Sequence, residues 1–391
     1  MSCTKKQKSE NETLIAWPTG TPDPTTGKRS INYWPSLSDE VVLLILRLLP
    51  LEDLVTVSRL NRRFRHLSKD SSLWDWMELN LDLENLKQNA ESCRKLVDKC
   101  EKLTLLKITN KSKSCDKITQ NIMTVVLKAK QTLNCFVVDP TIAVWTPAAM
   151  SKLGSMKNLT KLSLCFNQNL LTSVNSYAGA EMLEELKNLD KLEVLNLMFG
   201  NYRSNYIESF KVMERVFQTL RKLKEVKLYP ANYGEDLVIS LAENNPDLKV
   251  IWNMNFSSLS NETIEVLINS CPCLENFIIS SSHSENEINK LSSSWPNLKC
   301  LDVRHRGLSL FSGILLKDEK LIEYAERFRR LERLSLAHIP YINITDSGIE
   351  RLVGSAEKLK YLSLVAPKVT RNLVKRLRTK YPSLDLRINN Y

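Results

Sequence analysis

The hydrophobic pattern is most unusual near residue 41, where polar positions almost disappear. Polar residues 38–40 suit the first turn of a helix, and Pro50 suits its end. Between them, residues 41–49 carry one charge, that of Arg47. The pattern predicts a short helix that is apolar on nearly every side. About a dozen residues are too few to span a bilayer, so this surface predicts contact with another protein.

Two more helices are predicted directly afterwards, over residues 52–60 and 62–67, because apolar residues recur three and four positions apart. The side chains expected to point inward are Leu54, Val57, Leu60, Phe64 and Leu67, with a closing anchor at Leu73, Trp74 and Trp76. A segment of fewer than about fifty residues cannot bury all of these groups alone. The apolar side chains that remain unburied again predict contact with a partner protein.

This segment resembles an F-box, the short helical module that docks onto the Skp adaptor of SCF-type cullin–RING ubiquitin ligases. The matching residues are Trp34, Leu37, Asp39, Glu40, Val41, Ile45, Leu49, Pro50, Leu51, Asp53, Leu54, Leu67, Leu73 and Trp74. Two positions depart from the family pattern: Ser38 replaces a usual proline, and Phe64 replaces a common tryptophan. The resemblance implies adaptor contact through Trp34, Leu37, Val41, Ile45, Leu49, Pro50 and Leu54.

The rest of the chain is repetitive. A pattern of leucine, two variable residues, and two apolar residues one position apart recurs every 24 to 33 residues or so. Its copies begin at Leu103, Leu133, Leu159, Leu192, Leu223, Leu248, Leu274, Leu298, Leu331 and Leu359, with a degenerate copy at Leu384. In four copies a proline stands two residues before the leucine. Helical stretches with apolar residues three and four apart lie between copies.

Residues 344–364 resemble the cysteine-containing subclass of leucine-rich repeat that often follows an F-box. Each repeat is expected to form one short strand and one helix, which bury their apolar faces only by stacking on neighbours. The predicted fold class is α/β. A small all-helical F-box module precedes a curved solenoid, with short parallel strands on its concave face and helices on its convex face. The predicted domains are a disordered leader (1–30), the F-box (31–80) and the solenoid (81–391).

Residues between the strand leucines are expected to line the concave face, because side chains alternate along a strand. Three of them, Met198, Tyr229 and Trp252, come from consecutive repeats and form a candidate aromatic patch for a target protein. Arg304 and Arg333 are candidates for a fork that binds a carboxylate or phosphate, and Tyr361 follows on the next strand. The competing interpretations are that the tryptophan fills the core and that the arginines are simply solvated.

Charge is concentrated at the C-terminal end. The chain has a net charge of +11, and the segment from residue 351 onward contributes ten basic and two acidic residues. Arg371, Lys375 and Arg378 fall on one helix face, which could attract acidic protein or nucleic acid. The alternative, which we favour, is the polar outer face that a terminal repeat needs. A basic cap is therefore expected to close the solenoid.

Catalytic chemistry is hard to find. The four histidines are scattered, and Cys271 and Cys273 have the wrong spacing for half of a zinc site. No catalytic residue, metal or cofactor is predicted. The polar first residues lack the apolar core of a signal peptide, so we expect a cytoplasmic or nuclear protein with reduced cysteines and no membrane contact.

These observations predict a non-catalytic substrate receptor of an SCF-type ligase. The F-box would bind the Skp adaptor, and through it the cullin and RING subunits. The repeats would bind an unknown target for ubiquitination and proteasomal degradation. The alternative is a leucine-rich-repeat scaffold, or a basic nucleic-acid-associated protein, without a ligase role.

Overall fold

A computed structural model describes residues 37–49, 51–74, 78–110, 117–139, 144–166, 182–199, 207–229, 234–253, 259–280, 290–291, 293–304, 317–336, 343–366 and 368–389. These residues divide into two compact units. The first contains the described residues up to 110 together with 124–133, and the second contains 117–123 together with 134–389.

The first unit begins with three short helices. The elements are α1 (Asp39–Leu46), α2 (Leu51–Val57), α3 (Arg62–Leu67), a 3-10 turn (Ser71–Trp74), β1 (Glu78–Asp82), α4 (Leu83–Gln88), α5 (Ala90–Lys99) and β2 (Leu105–Thr109). Strands β1 and β2 pair in parallel, with Leu79 opposite Leu106. Strand β1 was not predicted. The second predicted helix is also shorter than expected, because it ends at Val57 and leaves Leu60 65% exposed instead of pointing inward.

Polar caps fix where these helices begin. The Ser38 hydroxyl accepts a hydrogen bond from the Val41 backbone N–H, and the Asn61 side chain accepts one from Phe64. Each bond satisfies a backbone donor that the first turn leaves open. Ser38 also hydrogen-bonds Glu40 and lowers the pKa of that carboxyl. The departure from proline at Ser38 therefore provides a side-chain cap that proline lacks.

The second unit alternates strands and helices. Its strands are β3 (Lys117–Ile118), β4 (Cys135–Val138), β5 (Val144–Trp145), β6 (Lys161–Phe166), β7 (Val194–Phe199), β8 (Glu225–Tyr229), β9 (Val250–Asn253), β10 (Asn276–Ser280), β11 (Cys300–Arg304), β12 (Arg333–Leu336), β13 (Tyr361–Val365) and β14 (Asp385–Asn389). The helices are α6 (Gln120–Val126, whose end lies in the first unit), α7 (Pro147–Gly154), α8 (Ile207–Thr219), α9 (Glu235–Asn244), α10 (Asn261–Ser270), α11 (Asp318–Arg327), α12 (Asp346–Ser355) and α13 (Arg371–Lys380), with 3-10 turns at Leu127–Ala129 and Met182–Asn188.

Strands β4 and β6 to β14 form parallel pairs in chain order, and β3 pairs separately with β5. The register aligns equivalent residues of every repeat, as in Leu162 opposite Leu195 and Leu334 opposite Leu362. One buried column runs through the unit: Phe136, Leu162, Leu195, Val226, Ile251, Phe277, Leu301, Leu334, Leu362 and Leu386, none more than 3% exposed. The predicted leucine-rich-repeat fold, with a parallel sheet and helices after N-terminal helices, is confirmed.

Residues that precede the repeat prolines link one repeat to the next. The Asn245 side chain accepts a hydrogen bond from the Leu223 backbone N–H at 2.8 Å. The Trp295 indole N–H donates to the Cys271 carbonyl at 3.0 Å, and the side chains of Asn245 and Trp295 are at most 1% exposed. Different residues thus fill one structural position, which explains why the repeats look eroded in sequence but stack regularly.

A second link joins the starts of successive helices. The Thr345 N–H and hydroxyl donate to the Asp318 carboxylate at 2.8 and 2.5 Å. The same two groups of Thr370 donate to Asp346 at 2.7 and 2.6 Å. Glu235 accepts the equivalent bonds from Ser260. An acid near the start of one helix therefore holds the hydroxyl residue that caps the next.

Candidate protein-binding surfaces

Helix α1 has an inward and an outward apolar face. Val42 and Leu46 are 0% and 1% exposed and belong to the core of the first unit. Val41, Leu44 and Leu48 are 41%, 59% and 67% exposed. They stand three and four positions apart, with Leu48 in the turn after the helix, so they lie on one side. We name these three residues the α1 stripe.

The α1 stripe is unusual for this molecule. The large apolar side chains that are exposed in the described part of the chain are the three stripe residues and Leu60. All lie within residues 41–60. Removing one such leucine from water is worth about 1.5–3 kcal/mol, so a protein that covers the stripe gains substantial binding free energy.

Arg63 of α3 holds the start of α1. Its Nε donates to the Asp39 carboxylate at 2.8 Å, and its Nη2 donates to the Leu37 carbonyl. Asp39 also lies in the first turn of α1, where the helix dipole favours a negative charge. These contacts fix the orientation of α1 relative to α3, and hence the direction in which the stripe faces.

The residues predicted to bind the adaptor differ in exposure. Val41 is on the outward face, whereas Leu37, Ile45 and Leu49 are half-buried. Leu54 is 1% exposed and supports the helices from inside. Trp34 and Pro50 lie outside the described residues. Leu44 and Leu48 were missed, although their three- and seven-residue spacing from Val41 was a usable signal.

The predicted target-binding residues lie on the strands of the second unit. Met198 on β7 is directly opposite Tyr229 on β8, and Trp252 on β9 is opposite Lys227. Met198 and Trp252 are half-buried, so Trp252 does not fill the core. The Lys227 ammonium lies 5.7 Å from the centre of the Trp252 ring and 2.6 Å from Glu225. The register therefore places the three predicted residues on neighbouring strands.

At the C-terminal end of the sheet, Arg333 contacts a different residue from the one predicted. Its guanidinium carbon lies 3.6 Å from the centre of the Tyr361 ring on the next strand. Arg387 approaches the same ring at 5.3 Å. Arg387 also donates to the Asp385 carboxylate at 2.9 Å, and this bond raises the pKa of the guanidinium. Tyr361 is thus an aromatic platform shared by two arginines.

The predicted pairing of Arg304 with Arg333 is wrong. Arg333 is aligned with Cys300, whereas Arg304 is aligned with Ser280 at the far end of β11. Four residues along a strand separate the two positions by about 13 Å. Consecutive repeats were considered in the prediction, but the position within the strand was not.

Helix α13 carries the predicted basic face, and part of it is engaged within the protein. Arg378 donates to the Leu386 carbonyl at 2.9 Å, and Arg376 pairs with Glu350. Arg371 and Lys375 are exposed. This division is consistent with a polar outer face on a repeat.

Reactive chemistry is sparse in the described residues. No group of three or more histidine, cysteine or acidic side chains there is placed to bind a metal ion. Cys271 is buried, and burial raises the pKa of its thiol to about 12, whereas Cys273 is exposed. A surface cavity of about 450 Å³ beside the ends of α11 and α12 has neither histidine nor cysteine in its lining. None of the described helices is long and apolar enough to cross a membrane.

Comparison with known proteins identifies one domain. Residues 34–76 match the sequence model of the F-box domain. No curated protein matches the chain. Among solved structures, it is similar to a leucine-rich-repeat protein from Leptospira interrogans, at 14% identity over 84% of this chain and 92% of the other, with a TM-score of 0.36. A protein from Bacteroides fragilis is similar at 16% identity over 70% and 73%, with a TM-score of 0.37.

The aligned strands and the recurring sequence pattern identify the leucine-rich repeats. The chain combines an F-box domain with a stack of leucine-rich repeats. Both parts are typical of proteins that bring other proteins together.

Proposed function

We propose that this protein is the substrate-recognition subunit of an SCF-type ubiquitin ligase. Its F-box would bind the Skp adaptor, and through it the cullin and RING subunits. The face of the repeats formed by the outward side chains of strands β4 and β6 to β14, here called the strand face, would bind a target protein for ubiquitination and degradation by the proteasome.

The α1 stripe is the observation that supports the adaptor half. A monomeric soluble domain rarely keeps three aliphatic side chains exposed on one side of a short helical segment unless another protein covers them. Here they lie inside the segment that matches an F-box domain, whose general partner is the Skp adaptor. The match comes from the sequence pattern, and the exposure comes from the packing of the helices.

The strand face supports the target half. It presents aromatic and arginine side chains, the residue types that dominate protein interfaces, at Trp252, Tyr361 and Arg333. Two buried polar atoms without a hydrogen-bond partner in the described structure, Asn196 Oδ1 and Arg333 Nε, also belong to this face. Such atoms gain from a ligand that supplies the missing bond.

The contribution of this chain to the reaction would be proximity. Binding the target and the ligase at once replaces a dilute encounter with an effective concentration near the millimolar range. Target lysines would then be held near the ubiquitin-loaded conjugating enzyme, and no group of this chain need touch the reacting bond.

The first test is co-purification of the full chain with the Skp adaptor, comparing wild type with a Leu37→Ala, Ile45→Ala double variant. We expect the double variant to lose the adaptor, because both half-buried side chains support the face that the adaptor covers. Because it could also misfold, its circular dichroism is measured alongside. Full retention of the adaptor by the variant contradicts the proposal.

The same variant reports on the target. Proteins that bind wild type and the variant alike, and that accumulate in cells expressing only the variant, are candidates for degradation. Accumulation that a proteasome inhibitor reproduces in wild-type cells supports a degradative role. A partner whose abundance never depends on the adaptor supports the scaffold alternative.

A further inference from the structure

The strand face near β12, β13 and β14 contains side-chain donors that have no hydrogen-bond acceptor among the described residues. Arg333 forms no ion pair with any residue that the structure describes, and its Nε has no hydrogen-bond partner there. Ser335 and Ser363, each two positions further along their strands, make no side-chain hydrogen bond in the same region and are 6% and 8% exposed. We name Arg333, Tyr361, Ser335 and Ser363 the Arg333 cluster.

The alignment of the strands brings these residues together. Arg333 is opposite Tyr361, and Ser335 is opposite Ser363. Residues two apart on one strand share a face, so the four side chains occupy adjacent positions on two neighbouring strands. The serine side chains are small, and the guanidinium carbon of Arg333 lies 3.6 Å from the centre of the Tyr361 ring.

Stacking on tyrosine prepares the guanidinium for a planar ligand. A guanidinium that contacts an aromatic ring with one face keeps the N–H groups at its edge available as donors. A carboxylate can accept two parallel hydrogen bonds from such an edge. Partial burial strengthens the interaction, because it lowers screening by water.

The surrounding charges favour a ligand with one negative charge. Two arginines lie near Tyr361. Arg387 forms an ion pair with Asp385, which leaves Arg333 to bind an anion from outside. Asp302 is aligned with Ser335 on the preceding strand and is 1% exposed, and a negative charge there repels a phosphate dianion about twice as strongly as a carboxylate with one charge. A carboxylate therefore fits better than a phosphate dianion.

We propose that the Arg333 cluster binds a single aspartate or glutamate carboxylate within an acidic segment of the target protein. The inference rests on the proposed function, since it assigns chemistry to the target-binding face. Arg333 receives the carboxylate, Tyr361 orients Arg333, and the two serine hydroxyls donate to the same anion.

Peptide display against the immobilised full-length chain tests the proposal without knowledge of the target. A random library of unmodified peptides is selected on wild type, Arg333→Gln and Arg371→Gln. Arg371 is the matched control, because it loses the same charge from exposed α13. We expect aspartate and glutamate to be enriched on wild type. The strongest peptide should bind about tenfold or more weaker to Arg333→Gln, and within about twofold to the control.

Two further comparisons sharpen the result. Tyr361→Phe keeps the ring and should bind like wild type, whereas Tyr361→Leu removes the platform and should bind about threefold or more weaker. The proposal is overturned if no peptide is recovered, if acidic residues are not enriched, or if Arg333→Gln has no effect. Tighter binding of a synthetic version with phosphoserine in place of the acidic residue overturns the choice of a carboxylate.

Adaptor co-purification of the same variants separates this inference from the proposed function. We expect Arg333→Gln to retain the adaptor, since the substitution lies outside the F-box. Retention of the adaptor together with failed peptide selection refutes only the carboxylate site. Failure of wild type to bind the adaptor, with peptide binding that depends on Arg333, refutes the ligase proposal and leaves the site standing.

Discussion

The F-box helices and the repeat stack use hydrophobic residues in opposite ways. Residues 41–60 leave the α1 stripe, which is one valine and two leucines, and Leu60 exposed to water. The repeats bury theirs, as in the column from Phe136 to Leu386, and present single aromatic or charged side chains on the strand face. One region exposes a continuous apolar strip, and the other exposes separated chemical groups.

This difference matches two kinds of recognition. An apolar strip gives affinity with little chemical selectivity, which suits one constant partner that the F-box family shares. Separated arginines, aromatics and hydroxyls discriminate among targets, because a wrong partner leaves them unpaired.

Trp295→Ala should have the largest effect on stability, at about 3–5 kcal/mol, because it removes a large side chain from a closely packed interior. Trp295 is 0% exposed, packs edge-on against Phe277 at 5.1 Å, and donates to the Cys271 carbonyl. Urea denaturation measures the loss of unfolding free energy. The control is Trp252→Ala, which should cost clearly less because Trp252 lies on the strand face. Equal losses would contradict the assignment of core and surface.

Leu44→Asp combined with Leu48→Asp should abolish adaptor binding while leaving the fold stable. Covering two leucines contributes about 1.5–3 kcal/mol each, so the dissociation constant should rise at least about a hundredfold. Titration calorimetry of the full chain with the Skp adaptor provides the measurement. Leu44→Met with Leu48→Met keeps the apolar surface and should bind normally. Normal binding by the aspartate variant would remove the stripe from the interface.

Two glycines of α12 give a matched pair of smaller effects on stability. A Cβ on Gly348 would collide with the Asp318 side chain, whereas a Cβ on Gly354 meets no atom within 4 Å. Gly348→Ala should therefore destabilise by about 1–3 kcal/mol, because overpacking displaces the carboxylate that holds Thr345. Gly354→Ala should be neutral or stabilise by up to about 1 kcal/mol through helix propensity. Thermal unfolding compares them, and a reversed order would contradict the inter-repeat link.

The smallest effect concerns reactivity alone. Burial raises the pKa of the Cys271 thiol to about 12, so the thiol stays protonated at pH 8, and water-borne reagents cannot reach it. Iodoacetamide at pH 8 should therefore alkylate exposed Cys273 and spare Cys271 until the protein is unfolded. Peptide mass spectrometry after timed labelling measures both sites. Early labelling of Cys271 in the native protein would show that the repeats open easily.

The repeat stack was largely predictable from sequence, because its physical basis is local and periodic. Strands β2, β4 and β6 to β13 begin two residues after the leucine that marks each copy. Trp252 and Met198 were placed on the strand face by alternation alone. What alternation could not supply was register across repeats, so Arg304 was paired with Arg333 although Tyr361 is the contact.

The F-box was recognised as a module, but its surface was predicted less well. Leu54 and Leu60 differ in burial, at 1% and 65% exposed, yet both stand at helical spacing in the sequence. Their difference depends on α2 ending at Val57, and the sequence has no capping residue or helix-breaking residue there that would predict this end. Strand β1 was also missed, because Trp76 stands two residues before it, where the predicted copies have leucine.

The acid-to-hydroxyl links between helix starts carry a consequence for engineering. In Thr345-Asp346 the threonine donates to an acid of the preceding helix, and the aspartate accepts from the threonine that begins the following helix. The bonds therefore run in the same direction from each of these helices to the next. In Thr370-Arg371 the threonine is held, but arginine stands where an acid would be needed to continue the series. If a further repeat were added after α13, the hydroxyl residue at the start of its helix would find no carboxylate on α13 to accept its hydrogen bonds. Arg371→Asp is the change that would make that position extensible.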